Sequence, residues 1–277
     1  MSVRNFYSPV VDRDEAIQDR HRIWKTAHSA PPGVDMRQDA QVALLHSIRA
    51  VAAEFDYPRT VEERTHAYDF YQDNGFFEGL DARMWFCLAR HFRPKTIVEV
   101  GGGFSSLLAA DVNRRYLDGR VAFLCIDPCP SDVLLAGVPG LAKLLPFRVQ
   151  DVPLRLFESL RENDVLFIDS SHVSKTGSDV NFLCLEVLPR LAPGVLVHFH
   201  DIFLPGEYPK DWVLERGYSW NEQYLVHALL IDSIGFEVVF ASYFASQRYP
   251  HQIRAIFGKP CSGGGLWLRR IGSPGPK

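Results

Sequence analysis

The chain has 277 residues, 47% of them hydrophobic, which is enough to bury one substantial core and suits one catalytic unit with an appendage. A formal net charge of -3, with no run of Lys or Arg, gives no sign of a nucleic-acid or membrane-binding surface, so a small molecule is the expected partner, with homo-oligomerisation left open. The N-terminus carries charges from its start, no stretch approaches ~20 uninterrupted apolar residues, and the five cysteines (Cys87, Cys125, Cys129, Cys184 and Cys261) are scattered; a cytoplasmic protein with reduced thiols is expected.

Residues 1 to about 37 hold Pro9, Pro31, Pro32 and Gly33 with little periodicity and read as an extended arm. From Arg37 to Phe55, Val42, Leu45, Ile48, Val51 and Ala52 recur at helical spacing. A second helical run is expected from Val61 to a stop at Asn74-Gly75. A third, capped by Asp81 and passing through Met84, Leu88 and Ala89, ends before Pro94. Together these helices are expected to form an N-terminal cap.

From Thr96 onward short apolar runs alternate with helical segments, the pattern of a parallel sheet with helices on both faces. The first strand, TIVEV, runs into Gly101, Gly102 and Gly103, then Ser105 and Ser106. Glycines at a strand end allow positive φ and let backbone N–H groups approach a ligand. The spacing G-x-G-x-x-S, with Ser106 in the third position, lacks the last glycine of a dinucleotide fingerprint, which counts against a nicotinamide oxidoreductase. Glu99, just ahead of the glycines, is placed to accept a hydrogen bond from a cationic amino-acid end.

Further strands are expected at Val121 to Asp127, in the segment ending Val149-Gln150-Asp151, at Asp164 to Ser170 and at Val195 to Asp201, each ending in an acid. A helix from about Ser178 to Leu191 stops at Pro193-Gly194. In an open α/β sheet the residues closing successive strands converge on one crevice, so Asp127, Asp151, Asp169 and Asp201 are expected to share an edge. Asp127 suits a bidentate contact to ribose hydroxyls, or alternatively starts a turn before Pro128. Gln150 and Asp151 suit an adenine amino group, or a loop cap. IDSSH and HFHDIF add His172, His198 and His200 beside Asp169 and Asp201, a density suited to a divalent metal or an acid/base pair, with His198 and His200 on one side of their strand. The aromatic-rich stretch Leu204 to Tyr224 reads as a long active-site loop or lid in which Tyr208, Trp212, Trp220, Asn221 and Tyr224 suit the wall of a substrate pocket, with Glu207 and Glu222 for polar contacts, or alternatively pack the loop onto the sheet edge, the simpler reading for any one aromatic. Phe236 to Phe244 and Gly265 to Arg270 are expected as a final hairpin-like pair joined without a helix.

EVGGGFSS, CIDPCP, VQDVP, LFIDSSH and VLVHFHDIFLPGEYP, in this order from about Tyr68 to Arg270, resemble the class I S-adenosylmethionine-dependent methyltransferases. The resemblance implies an α/β, Rossmann-like, doubly wound sheet of seven strands with the last antiparallel. It divides the chain into an arm and helical cap (1–80) and a catalytic domain (81–277). It places Glu99, Gly101, Gly102, Gly103 and Ser105 at the methionine portion of the donor, Asp127 at the ribose, Gln150 or Asp151 at the adenine, and Asp169 beside the donor. Similarity to metal-dependent O-methyltransferases of the catechol type, and to cephamycin-pathway and macrolide-sugar enzymes, carries a divalent metal onto Asp169, His200 and Asp201. The histidine there favours Mn, Fe or Zn over Mg. Either that metal or a general base, His172 or His200, would deprotonate the acceptor oxygen, which implies O-methylation of a small molecule or sugar. The alternative is non-methylating use of the same donor, by cyclisation or aminocarboxypropyl transfer. An interaction protein on an empty fold is disfavoured by the intact strand-end acids.

Overall fold

A computed structural model describes residues 7–25 and 30–272; the SPGPK tail lies outside them. Seven strands, β1 (Thr96–Val100), β2 (Ala122–Ile126), β3 (Lys143–Leu145), β4 (Val165–Ile168), β5 (Leu196–Phe199), β6 (Phe236–Ala241) and β7 (Leu266–Arg270), make one sheet in the order β3-β2-β1-β4-β5-β7-β6. All pairs are parallel except those of β7, which runs antiparallel to both β5 and β6. β4 and β5 read VLFI and LVHF and are buried at every position, as strands covered on both faces must be. The fold is the Rossmann-like seven-stranded arrangement expected from the sequence.

The N-terminal region departs from expectation. Helices α1 (Arg13–Gln18) and α2 (Arg20–Ile23) occupy part of the expected extended arm, and the Asp12 carboxylate caps α1 by accepting from the N–H groups of Asp14 and Glu15. The helix expected from Arg37 to Phe55 breaks at Ile48 into α3 (Gln38–Ser47) and α4 (Arg49–Ala52). Between Val61 and Gly75 there is one 3-10 turn, Val61–Glu63, rather than a helix. Side chains there compete for the backbone: Asp69 accepts from the N–H groups of Thr65 and His66, and Asn74 binds the backbone of Tyr71, Phe76 and Phe77. Buried Tyr57, Phe70 and Phe77 pin this irregular stretch to the core.

Helix α5 (Gly79–Phe92) starts before Asp81, so Asp81 is not its cap; the buried carboxylate instead accepts from Gly264 N at 2.8 Å and Gly265 N at 2.9 Å. Helix α6 (Phe104–Tyr116) follows the glycines. The short α7 (Asp132–Leu135), α8 (Arg155–Glu158) and α9 (Asp179–Asn181) come next, α9 continuing as a π-helix through Phe182–Val187 and a 3-10 turn to Arg190. The third strand ends at Leu145, and Val149–Asp151 forms a separate 3-10 turn, so Asp151 does not close a strand. The stretch expected as a loop from Leu204 contains α10 (Lys210–Leu214) and the start of α11 (Glu222–Leu230). β6 stops at Ala241, and α12 (Ser242–Arg248) and α13 (Pro250–Phe257) connect it to β7, correcting the helix-free connection. Pro250 at the first turn, Ile253 and Phe257 facing inward and Gly258 at φ 74° make α13 a regular short helix.

Helices α3 and α4 pack against α13, with α3 also on β6 and α4 on α5. Gln41 bridges α3 to the sheet edge by accepting from Ala241 N, and Arg37 pairs with Glu237 at 2.9 Å. Among the described residues no helix is long and apolar enough to cross a membrane.

Candidate active site

The parallel ladder delivers the site. Past the end of each strand, the next residue still hydrogen-bonds its neighbour: Gly101 N to Ile126 O at 2.9 Å, Asp127 N to Leu145 O at 3.1 Å, Asp169 N to Val100 O at 2.9 Å and His200 N to Ile168 O at 2.9 Å. Their side chains therefore emerge along one edge of the sheet.

On one side of Asp169 lies a cavity of about 470 Å³ whose wall includes Gly101, Gly102, Asp127, Gln150, Asp169 and Ser170. Gly101 has φ 86°, and a Cβ there would meet Asp169 O at 1.7 Å, so only glycine fits this close approach. The Asp127 carboxylate accepts from Gly102 N at 2.8 Å and Cys129 N at 2.7 Å, which orients it while leaving a lone pair on each oxygen. Gln150 lies on the cavity wall with its Nε2 donating to Gly177 O. Asp151 is not on the cavity wall; its carboxylate forms a bidentate pair with Arg148, which is, so of Gln150 and Asp151 only Gln150 lines the cavity. Glu99 does not reach the cavity: it is 1% exposed, and its oxygens accept from Ser105 Oγ at 2.6 Å and Ser106 Oγ at 2.5 Å. Burial, only partly offset by the two serine hydroxyls, raises the Glu99 pKa to about 8. Ser106 Oγ also accepts from Gly103 N, so Glu99, Ser105 and Ser106 lock the start of α6 beneath the glycines.

At the junction stands an acid and imidazole cluster. His172 Nε2 lies 3.2 Å from Asp169 Oδ1 and 3.7 Å from Asp201 Oδ2, and Nδ1 lies 2.8 Å from Glu222 Oε2. The first residues of α11 clamp His172 twice, since its carbonyl also accepts from the N–H groups of Asn221 and Glu222. Asp169, His172 and Asp201 each present a ligand atom within 4.8 Å of the others. The imidazole of this group is thus His172, not the expected His200, whose Nε2 sits 3.6 Å from Asp201 Oδ1. His172 and Asp201 both hold φ of 58°, a left-handed conformation that costs energy for a residue with a Cβ and clusters at functional sites. His198 lies deeper, fully buried and stacked on Phe167 at 4.2 Å, with burial pushing its pKa well below the ordinary value.

Charge is shared unevenly here. Burial disfavours an imidazolium at His172, yet the hydrogen bonds to Asp169 and Glu222 outweigh it and lift its pKa to about 10. Burial would raise Asp169, but the charges of His200 and His172 hold it below the usual value. Burial dominates at Asp201 and Glu222, raising both. A cationic imidazole sits between three carboxylates, where a bound cation would displace its proton.

Across Asp169 from the smaller cavity opens a cleft of about 900 Å³. Asp81, Asp169, His172, His200 and Asp201 line it, as do Trp212 and Trp220, which packs on the His172 ring at 4.2 Å. Tyr208 and Tyr224 do not: Tyr208 is 3% exposed with its hydroxyl accepting from Gln223 N, and the Tyr224 hydroxyl donates to Glu207. The sequence reading missed Trp24, Phe203, Tyr218 and Tyr243 in this wall. Trp24 comes from the arm, its Nε1 donating to Tyr208 O at 2.8 Å, and nothing in its sequence neighbourhood marks it. Tyr243 was hidden by reading α12 as strand.

Residues 98–202 match the model of a family described as "Methyltransferase domain". An uncharacterized protein of Archaeoglobus fulgidus is 36% identical over 178 residues, spanning 62% of this chain and 80% of that protein. Among solved structures, the SAH-bound Podospora anserina methyltransferase PaMTH1 aligns over 98% of this chain and 100% of its own, with 15% identity and a TM-score of 0.43. An O-methyltransferase from Bacillus cereus in complex with SAH aligns over 83% and 91%, with 12% identity and a TM-score of 0.40. The matched model marks residues 98–202 as a methyltransferase domain, a stretch that spans most of β1 through β5 of the seven-stranded sheet.

Proposed function

We propose that this enzyme methylates a hydroxyl oxygen of a small molecule seated in the larger cleft, with the donor in the smaller cavity. The observation that carries the reading is the position of Asp169, which lines both cavities and so marks where the two bound molecules meet. Gly101 and Gly102 let the donor's methionine portion approach the backbone, Asp127 accepts from its ribose hydroxyls, and Gln150 faces its adenine. Ser105 and Glu99 act beneath the cradle, holding the start of α6 rather than touching the donor. The donor supplies a methyl group on a sulfonium, and in-line transfer then depends on orientation more than on acid catalysis.

The acceptor must lose a proton. Asp169, His172 and Asp201 fit a divalent ion, because two carboxylates and an imidazole converge and Glu222 fixes the His172 ring from behind, the arrangement that orients metal-ligating histidines. Such an ion would supply Lewis acidity that lowers the pKa of an acceptor hydroxyl. Without it, the raised pKa of His172 keeps the ring protonated at neutral pH and a weak base. Trp212 and Trp220 wall the acceptor. Residues 81–277 carry this chemistry in our reading, and residues 1–80 add Trp24 and the segment around Phe76 to the cleft wall.

Calorimetric titration with S-adenosylmethionine and its demethylated product tests the donor site: micromolar binding that falls at least tenfold in Asp127→Ala is expected, and unchanged binding in that variant refutes the assignment. Methyl-labelled donor with a panel of hydroxylated acceptors tests the reaction. The label should appear on oxygen; a product methylated on nitrogen or carbon overturns O-methylation.

A further inference from the structure

Beside the large cleft, sharing Glu78 and Ser262 with it, lies a separate cavity of about 340 Å³ between α5 and the segment leading to β7. Its wall carries Arg83 and Lys259. Arg83 is only 9% exposed, yet among the described residues no carboxylate lies within ion-pair reach of it. A largely buried guanidinium without an acid has its hydration only partly replaced by neutral partners, which makes its remaining donors a favourable place for an anion. Its placement is fixed from two sides. The guanidinium carbon lies 4.5 Å over the Phe55 ring, and one nitrogen, Nη2, donates to Gln72 Oε1 at 2.8 Å. Gln72 is itself held, with Nε2 donating to Tyr57 O and its backbone N–H to Pro58 O. The remaining donors of Arg83 are uncommitted and are not enclosed by protein, which leaves them to the cavity. Of the two acids on the wall, Asp73 is paired with Arg59 at 2.8 Å and Glu78 accepts from Gly75 N at the rim shared with the cleft.

We propose that Arg83 and Lys259 form a binding site for a small oxyanion, a phosphate or carboxylate, opening beside the acceptor cleft. A planar guanidinium with free donors matches the two oxygens of such a group, and Lys259 adds a point charge at the mouth. At about 340 Å³ the cavity has room for a phosphate-sized group, and it meets the cleft at the Glu78 rim. The anion is therefore either a free ion or one end of an acceptor whose remainder lies across the Glu78 rim. Anion binding itself stands apart from the methyl-transfer reading and is read by binding alone; only the assignment of the anion to an acceptor rests on that reading.

The test is calorimetric titration of the full chain with inorganic phosphate, at constant ionic strength balanced by chloride. A saturable one-to-one heat is expected in the native protein, weakened about tenfold in Lys259→Ala, as for a lost charged hydrogen bond, and absent in Arg83→Met. Lys259 is exposed, so its variant reports on the site even where Arg83→Met fails to fold. Binding of S-adenosylhomocysteine serves as the folding control. No saturable phosphate heat in the native protein, or native phosphate affinity in Lys259→Ala and in folded Arg83→Met, overturns the proposal. Phenyl phosphate identifies the source. Tighter binding than phosphate, with the gain lost in Phe76→Ala at the cleft wall, assigns the anion to the acceptor; equal binding assigns a free ion.

Discussion

Glu222 touches neither cavity, yet it decides how His172 presents itself. Its buried carboxylate takes one imidazole nitrogen and leaves the other facing Asp169 and Asp201. Glu222→Gln keeps the shape and removes the charge, so the ring is less firmly held and less basic. Titration with Mn²⁺ should then show affinity lowered by about 10–100-fold, the usual effect of losing such a supporting carboxylate, with S-adenosylhomocysteine binding unchanged. Equal Mn²⁺ affinity in the two proteins would count against the metal site. Glu99 makes a different statement, about stability. Its folded pKa of about 8 lies above the ordinary 4.5, so the folded state keeps a proton that the unfolded state has released across that interval. Stability from this group is present below pH 4.5 and is lost as pH rises toward 8. Glu99→Gln retains hydrogen-bonding capacity without the titration. Its melting temperature should decline less over this window than that of the native protein, and parallel curves would show that Glu99 does not titrate there.

At the level of elements, the loop before β7 is tied to the start of α5 by one side chain. Asp81 accepts from two consecutive backbone N–H groups, and a Cβ on Gly263 or Gly265 would meet its carboxylate at 2.3 or 2.6 Å. Asp81→Ala leaves those buried donors unmet and should cost about 1–3 kcal/mol in chemical denaturation, the penalty for orphaned buried donors; a smaller loss would mean the loop finds other partners. This contact was not legible in the sequence. Asp81 looked like a helix cap because an acid near an N-terminus usually is one, and its true partners lie at the far end of the chain. The strands were legible because VLFI and LVHF admit few other arrangements, and strand-end residues Gly101, Asp127, Asp169 and His200 follow from them directly. What failed were choices made by tertiary context. Asn74 and Asp69 took over backbone groups that a helix would have used. Likewise, the imidazole that comes within 4.8 Å of the Asp169 and Asp201 carboxylates is that of His172, held by Glu222 from far along the chain, which no spacing rule foretells.

Across the whole molecule the two cavities draw on different parts of the chain. The smaller cavity, where we place the donor, is lined from β1 to α9, inside the stretch matched by the methyltransferase family model, whereas the cleft also takes Trp24, Trp212, Tyr218 and Tyr243 from outside it. Affinity for the two ligands is therefore separable. Trp212→Ala should raise KM for the acceptor several-fold while leaving S-adenosylhomocysteine affinity intact by calorimetry; a parallel loss of both would show the cavities to be one site. The Asp81 tie also sets an order of assembly. A chain emerging from synthesis has every residue that lines the smaller cavity well before Gly264 and Gly265 arrive to meet Asp81 and close the wall behind Asp201. The lining of the smaller cavity is complete first. The wall of the larger cleft is finished only when Ser262, Gly263 and Gly264 arrive, and with them β7, the strand that joins β6 to the rest of the sheet, so the last stretch of the chain closes both the cleft and the sheet.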